Sequence, residues 1–291
     1  RHLARLGART LDEIVGRVEL LHAVPAPGGL DLSALLEPPA DVEAPRRRSW
    51  LRNGTPPTDI ELASGPIDNR HRAIGAARKG LRRAYQGAAG QSFGAWLDEG
   101  SELRLEGEAN DYVGKSMGGG LITIRSAPGD GADGPDRIPV LAGNTCLYGA
   151  TGGRLLLAGR AGERFGVRNS GAVAVVEGAG DHFCEYMTGG LVVSLGPVGR
   201  NVGAGMTGGV AYVLDWGELH EESVMTRPVP AGAAEPLRAL LEEHLRETGS
   251  LRARAALAAW PATLQRLRQV VPVAEAQVEE DQEPAAAAGG R

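Results

Sequence analysis

The sequence predicts an all-β core built as a parallel β-helix, a single-stranded solenoid, and three observations carry that expectation. Glycine is the outlier of the composition, with 43 residues in 291, densest between Gly87 and Gly209. Short apolar runs follow glycines at a fixed period. Gly153, Gly171, Gly190 and Gly209 precede Arg154–Leu157, Ala172–Val175, Leu191–Ser194 and Val210–Val213, at spacings of 18, 19 and 19 residues. Phe and Tyr are scarce, at 3 and 5 residues, so the interior must be packed from Val, Leu, Ile and Ala. A fixed period of short strands with glycine corners marks a solenoid, and about 19 residues is too short for a helical pair. A leucine-rich repeat needs a Leu ladder with a phased Asn, and the segment lacks that ladder. One coil cannot bury its apolar face alone. Coils stacked about 4.8 Å apart share a continuous core.

The elements follow in chain order. Residues 1–66 are expected to be a helical and irregular connection from an upstream domain. Leu3, Leu6, Leu11, Ile14 and Val15 give helical spacing over 1–21, and Thr10 with Glu13 forms a capping-box pattern. Pro25, Pro27, Gly28 and Gly29 break the chain. A short helix is expected at Asp31–Leu36, then a Pro-rich extended stretch over Pro38–Pro66. Residues 67–217 are expected to be the β-helix. Gly100 before Ser101–Leu105 and Gly120 before Leu121–Ile124 supply two earlier copies, and an insertion at Ser126–Ala142 fills the gap to Gly153. A second strand in each coil is expected at Gly162–Gly166, Gly180–Cys184 and Gly199–Gly203, and Val173, Val175, Val192 and Val213 are expected to point inward. Residues 218–274 read as three helices: Glu235–Arg246 with one Leu face, Ser250–Trp260, and Pro261–Val270 with Pro at its start. These flanks are candidate covers for the open ends of the stack. Residues 275–291, acidic and then Ala/Gly-rich, are expected to be a disordered tail.

Several function classes are excluded by composition. The net charge is -5 with no dominant basic patch, so no nucleic-acid partner is expected. Arg46, Arg47 and Arg48 read as a solvated loop. No apolar run approaches the roughly 20 residues that span a membrane. Cys146 and Cys184 are too few for a disulfide framework and stand in no CxxC spacing, so a reducing cytoplasm is the expected compartment. Charges throughout Arg1–Glu19 argue against a signal peptide, and a first residue other than Met suggests a fragment or a processed chain.

Candidate chemistry reads as structure. Gly203-Ala204-Gly205-Met206-Thr207-Gly208 satisfies GxGxxG, but a dinucleotide site needs a helix after it, and a strand is expected here. His182 and Cys184 could ligate a metal, but no second pair matches their spacing. Cys146 reads as a buried thiol. Asp111, Glu163, Glu177, Asp181 and Glu185 sit near turns. They could form an acid/base pair for sugar chemistry, but are expected to hydrogen-bond neighbouring coils. Ser92 and Ser170 lack a nucleophile signature. No catalytic, cofactor-binding or metal-ligating residue is therefore expected in this chain.

The wording of the repeats is more specific. Gly87–Gly94, Leu105–Lys115, Gly162–Phe165, Val167–Ala172, Gly180–His182, Cys184–Gly190 and Gly208–Asp215 resemble the C-terminal domain of the glutamate synthase large subunit. So do Leu6–Arg9, Leu11–Glu13, Ile67–Arg70, His244 and Thr248–Ser250, in the same order. The resemblance implies a right-handed β-helix acting as a scaffold. It implies an intact oxidoreductase that makes two L-glutamates from L-glutamine and 2-oxoglutarate. NADPH is expected as reductant, with NADH and ferredoxin left open by the residues. FMN and an iron–sulfur cluster belong to other domains of that enzyme, and this chain is expected to bind no cofactor. The implied partners are the amidotransferase and FMN-binding domains and the small subunit. Two departures stand out. A coil is expected to be missing or remodelled near 77–86, where Arg78–Tyr85 is too basic for an inward strand, and the end turns acidic after Pro272. Alternatives are a separate β-helical subunit of a glutamate synthase, a subunit of a formylmethanofuran dehydrogenase-like complex, and a carbohydrate-active β-helix.

Overall fold

The computed structural model describes residues 80–127 and 137–276, with positions 7, 8 and 20 and the backbone of 64–66. The chain divides into two compact units, Arg1–Pro56 and Pro57–Arg291. The architecture below is that of the second. The helices expected over 1–21 and Asp31–Leu36, and the tail beyond residue 276, lie outside the described residues.

The core is a β-solenoid. Seven coils contribute parallel strands to one sheet: β2 (Arg82–Ala88), β3 (Glu102–Glu108), β4 (Gly118–Arg125), β6 (Gly152–Leu157), β8 (Ser170–Val176), β9 (Thr188–Val198) and β10 (Gly208–Trp216). A short β1 (Ser64–Pro66), in the stretch expected to be irregular, pairs in parallel with β2. The two-residue β7 (Arg160–Ala161) pairs with β5 (Val140–Ala142), which follows the insertion.

Register stacks side chains into columns. One interior column runs Leu103, Ile122, Leu155, Ala174, Val192 and Ala211, and a second runs Tyr85, Leu105, Ile124, Leu157, Val176, Ser194 and Val213. All of these are buried. Between them, the column Leu156, Val175, Val193 and Tyr212 points to the outer face. It joins a second apolar cluster with Leu237, Leu241 and Trp260. Val192 and Val213 thus face inward as expected, whereas Val175 faces outward and Val173 shares its register row with outward Leu191. Helices cover the outer face, so both faces are apolar and alternation no longer distinguishes them.

The expected second strands are instead arcs of turns. In each, every second residue has positive φ, as at Tyr112 (65°), Gly114 (65°) and Ser116 (55°). Alternating handedness curls the backbone, and Lys115 N–H donates to Tyr112 O at 3.1 Å, closing a turn that no extended strand could make. The arcs still add an interior column: Phe93, Val113, Cys146, Phe165, Phe183 and Val202 are all fully buried, with the Phe165 and Phe183 rings stacked at 6.0 Å.

The basic stretch before residue 86 does form a strand. Tyr85 pairs with Leu105 and is buried, Arg83 takes the Leu103 column at the first complete coil, and Arg82 is paired to Glu102 at 2.7 Å. For Arg82, the ion pair across the ladder satisfies the charge that argued against a strand there. At the other end, α1 (Ala234–Thr248), α2 (Leu251–Ala258) and α3 (Trp260–Arg266) pack on the outer face. The third helix stops before the expected Val270. Arg268–Pro272 is strand β12, antiparallel to β10 and to β11 (Val224–Pro228). Val270 and Val271 suit a pleated surface, and β12 covers the edge that β10 would otherwise expose.

Candidate functional site

The outer surface of the arcs carries a cluster of aromatic and cationic side chains. One backbone position recurs in successive coils as Trp96, Ser116, Gly149, Arg168, Tyr186 and Gly205, all at positive φ. Trp96 and Tyr186 are about half exposed, at 50% and 52%. Lys115 Nζ lies over three rings, 5.9 Å from Trp96, 5.2 Å from Tyr112 and 5.9 Å from Tyr148. Arg168 sits between Tyr148 and Tyr186, at 6.0 and 5.9 Å. The result is a stripe of alternating rings and cations running along the stack. Sequence reasoning missed it because, Tyr112 and Lys115 aside, neighbouring members of the stripe are 16–20 or more residues apart in the chain. Aligning the repeats on the arcs, rather than on the strand glycines, would have brought them together.

The turn carboxylates serve the scaffold. Asp111 Oδ1 accepts the Asn144 N–H at 2.7 Å, Asn144 Oδ1 accepts the Glu163 N–H at 2.8 Å, and Asp181 Oδ1 accepts the Arg200 N–H at 2.8 Å. Each side chain thereby ties its coil to the next. The Arg200 N–H and guanidinium hold the partly exposed Asp181 carboxyl below the usual carboxylate range. Glu185 faces Arg164 at 3.5 Å and His182 at 3.8 Å. The Asp111, Asp181 and Glu185 carboxylates thus lie on successive coils and each engages a neighbouring coil.

Glu177 differs. It is buried with His244 and Ser250, where the α1–α2 corner meets the solenoid. Ser250 Oγ donates to the Glu177 carboxylate and also accepts the Ala253 N–H at 2.9 Å. His244 Nε2 lies 3.6 Å from the same carboxylate, and neither ring nitrogen has a hydrogen-bond partner among the described residues. The composition is Ser, His and Glu, but the hydroxyl is bonded to the carboxylate and not to the imidazole. A nucleophile needs the reverse connection, so this cluster is a docking contact.

The remaining sequence candidates are accounted for by packing. In the GxGxxG segment a side chain on Gly203 would strike Val224, one on Gly205 would strike the Tyr186 ring, and one on Gly208 would strike Thr188 O. The segment leads into strand β10, not a helix. Cys146 and Cys184 are buried in the core, and burial pushes both thiols up, Cys146 to about 12. Ser170 Oγ donates to Ala150 O at 3.1 Å, and Ser92 N–H to Asp111 O at 2.8 Å. Among the described residues no group of three or more His, Cys, Asp or Glu could hold a metal ion. An open groove of about 700 Å³ runs along Gly100, Gly119, Gly120 and Gly153. On its rim Arg82 is paired with Glu102 and Arg154 with Glu243.

Comparisons with known proteins bear on this arrangement. The chain is 43% identical to ferredoxin-dependent glutamate synthase 2 of Synechocystis sp. over 94% of its own length and 20% of the relative's. It is 37% identical to the glutamate synthase [NADPH] large chain of Bacillus subtilis over 93% of its own length and 20% of that chain. It therefore spans about a fifth of the length of these relatives, whose names carry two different reductants. Among solved structures, a formyltransferase/hydrolase complex of Methylorubrum extorquens aligns with a TM-score of 0.39 and 22% identity, over 60% of this chain and 69% of that one. No helix among the described residues is long and apolar enough to cross a membrane. The profile of the GXGXG motif matches residues 59–273, which takes in the whole described solenoid and its covering helices, and the chain belongs to that family.

Proposed function

We propose that this chain is the β-helical scaffold of a glutamate synthase large subunit, with no catalytic centre of its own. The observation that carries the reading is its alignment, nearly end to end, with only a fifth of each glutamate synthase relative. The interior supports it, since apolar columns occupy the space a substrate would need. In this reading the intact cytoplasmic enzyme converts L-glutamine, 2-oxoglutarate and a reductant into two L-glutamates. An amidotransferase domain releases ammonia, and a domain holding FMN and an iron–sulfur cluster uses it. The residues described here do not fit either group. Each buried cysteine stands alone, whereas a cluster takes several thiolates, and no helix follows the glycine-rich segment to receive a phosphate. The chain's own contribution is rigidity: stacked coils hold flanking domains in fixed register.

The test is reconstitution. The chain is co-purified with the remaining synthase domains and assayed for glutamine-dependent glutamate formation, with ferredoxin and NADPH supplied in turn. Activity and co-purification are expected with the intact chain, and both are expected to disappear when residues 87–214 are deleted. Retained activity after the deletion would rule out the scaffold role.

A further inference from the structure

We propose that the ring-and-cation stripe on the arcs is the docking surface for a carboxylate-bearing face of the remaining synthase domains. This rests on the glutamate synthase reading above. The fold does not need these side chains. Gly149 and Gly205 fill the same backbone position in two coils, where positive φ is free of strain, yet Trp96, Arg168 and Tyr186 adopt it at 57°, 52° and 53°. Bulky side chains held in a disfavoured conformation and pointed at solvent suggest a function outside the fold. Gly205 lacks the atom that would collide with the Tyr186 ring, so the next coil makes room for that ring to lie flat.

Charge and extent select the occupant. Lys115 and Arg168 have no carboxylate partner among the described residues, and their charge is presented over ring faces. Aromatic rings and arginine are the side chains that dominate protein interfaces, and a desolvated cation there calls for an opposing carboxylate. The stripe crosses five coils, from Trp96 to Tyr186, or roughly 19 Å at the spacing of stacked strands. The outer sheet face is already closed by α1–α3, and among the described residues no element is packed over the exposed rings of the arcs. The relatives carry about four fifths of their length beyond the region this chain matches, so polypeptide to occupy that face is at hand. A nucleic acid is disfavoured by the chain's net charge of -5.

A photo-cross-linking amino acid placed at Tyr186 of the assembled synthase tests this, with Leu251 on α2 as the control. Position 186 is expected to cross-link to an Asp- or Glu-bearing peptide of the amidotransferase or FMN domains, and position 251 is not. The pair Lys115→Glu and Arg168→Glu is expected to lower glutamate formation by about tenfold or more, with Lys115→Arg retaining it. A failure of position 186 to cross-link in an assembly that makes glutamate overturns the docking surface alone, as does a cross-link to nucleic acid or to an unrelated protein. If the unsubstituted assembly makes no glutamate, the underlying reading falls and takes the docking surface with it.

Discussion

A Cβ on Gly171 would stand 2.2 Å from the carbonyl oxygen of Thr151 in the preceding coil. Backbone cannot yield as a side-chain tip can, so one methyl group there must push two coils apart. Gly171→Ala is predicted to destabilise the chain by about 3 kcal/mol, read as a lower denaturant midpoint in urea. An unchanged midpoint would show that the coils are less tightly stacked than described. The two thiols give a second prediction at this scale. Cys146 and Cys184 are buried and their pKa values raised, so neither is expected to react with maleimide at pH 7–8 in the native chain, and both are expected to react in denaturant. Native labelling within minutes would contradict that burial. The glycines were legible in the sequence because their spacing repeats. The exposed rings at Trp96, Tyr112 and Tyr186 were not, because their common feature is a backbone conformation and no propensity scale reports positive φ for Trp or Tyr.

The helices are joined to the solenoid by few polar contacts, and the buried one is decisive. Arg104 meets Glu247 at 2.7 Å and Arg154 meets Glu243 at 2.6 Å, both at the partly exposed edge of α1. Such pairs contribute about 0–1 kcal/mol each, so they count only when several are lost together. Glu177 is buried against Ser250, the N-cap of α2, and against His244 of α1. Glu177→Ala leaves that hydroxyl without its acceptor in a closed space, and a loss of about 3 kcal/mol is predicted. The loss should be accompanied by faster amide hydrogen exchange in α1 and α2 and unchanged exchange in β3–β6. Uniform exchange across the chain would mean that helices and coils unfold as one unit. Element type was readable where the hydrophobic period was unambiguous, as for Leu237 and Leu241 on α1. It was misread where context decides. Arg268–Val270 pairs with β10 because that edge is open, and the arcs replace strands because alternate residues are left-handed.

At the largest scale, the described part of the second unit is a stack of coils whose faces differ in what holds them. The interior relies on stacked apolar side chains, the outer sheet face on helices, and the arcs and edges on charge. That division predicts how acid acts. Asp181 is held below the ordinary carboxylate range by the Arg200 N–H and guanidinium, and Glu106 by the Arg125 hydrogen bond. Burial pushes Glu247 up, but its bonds to Arg104 and Arg246 together outweigh that and leave it lowered. A carboxyl whose folded pKa lies below its unfolded value near 4 binds fewer protons in the native state at mildly acidic pH. Its contribution is therefore fully present above about pH 5, and is lost as pH falls through the lowered folded value. The apolar columns have no such dependence. The melting temperature is accordingly predicted to be flat from pH 7 to about 5 and to fall below about 4. The triple substitution Glu106→Gln, Asp181→Asn and Glu247→Gln should melt lower at pH 7 and show a shallower acid decline. Calorimetry across that range decides the matter. A triple variant with the same acid slope as the parent would place the acid-sensitive groups elsewhere and would remove these three pairs as the ties between successive coils and between solenoid and α1.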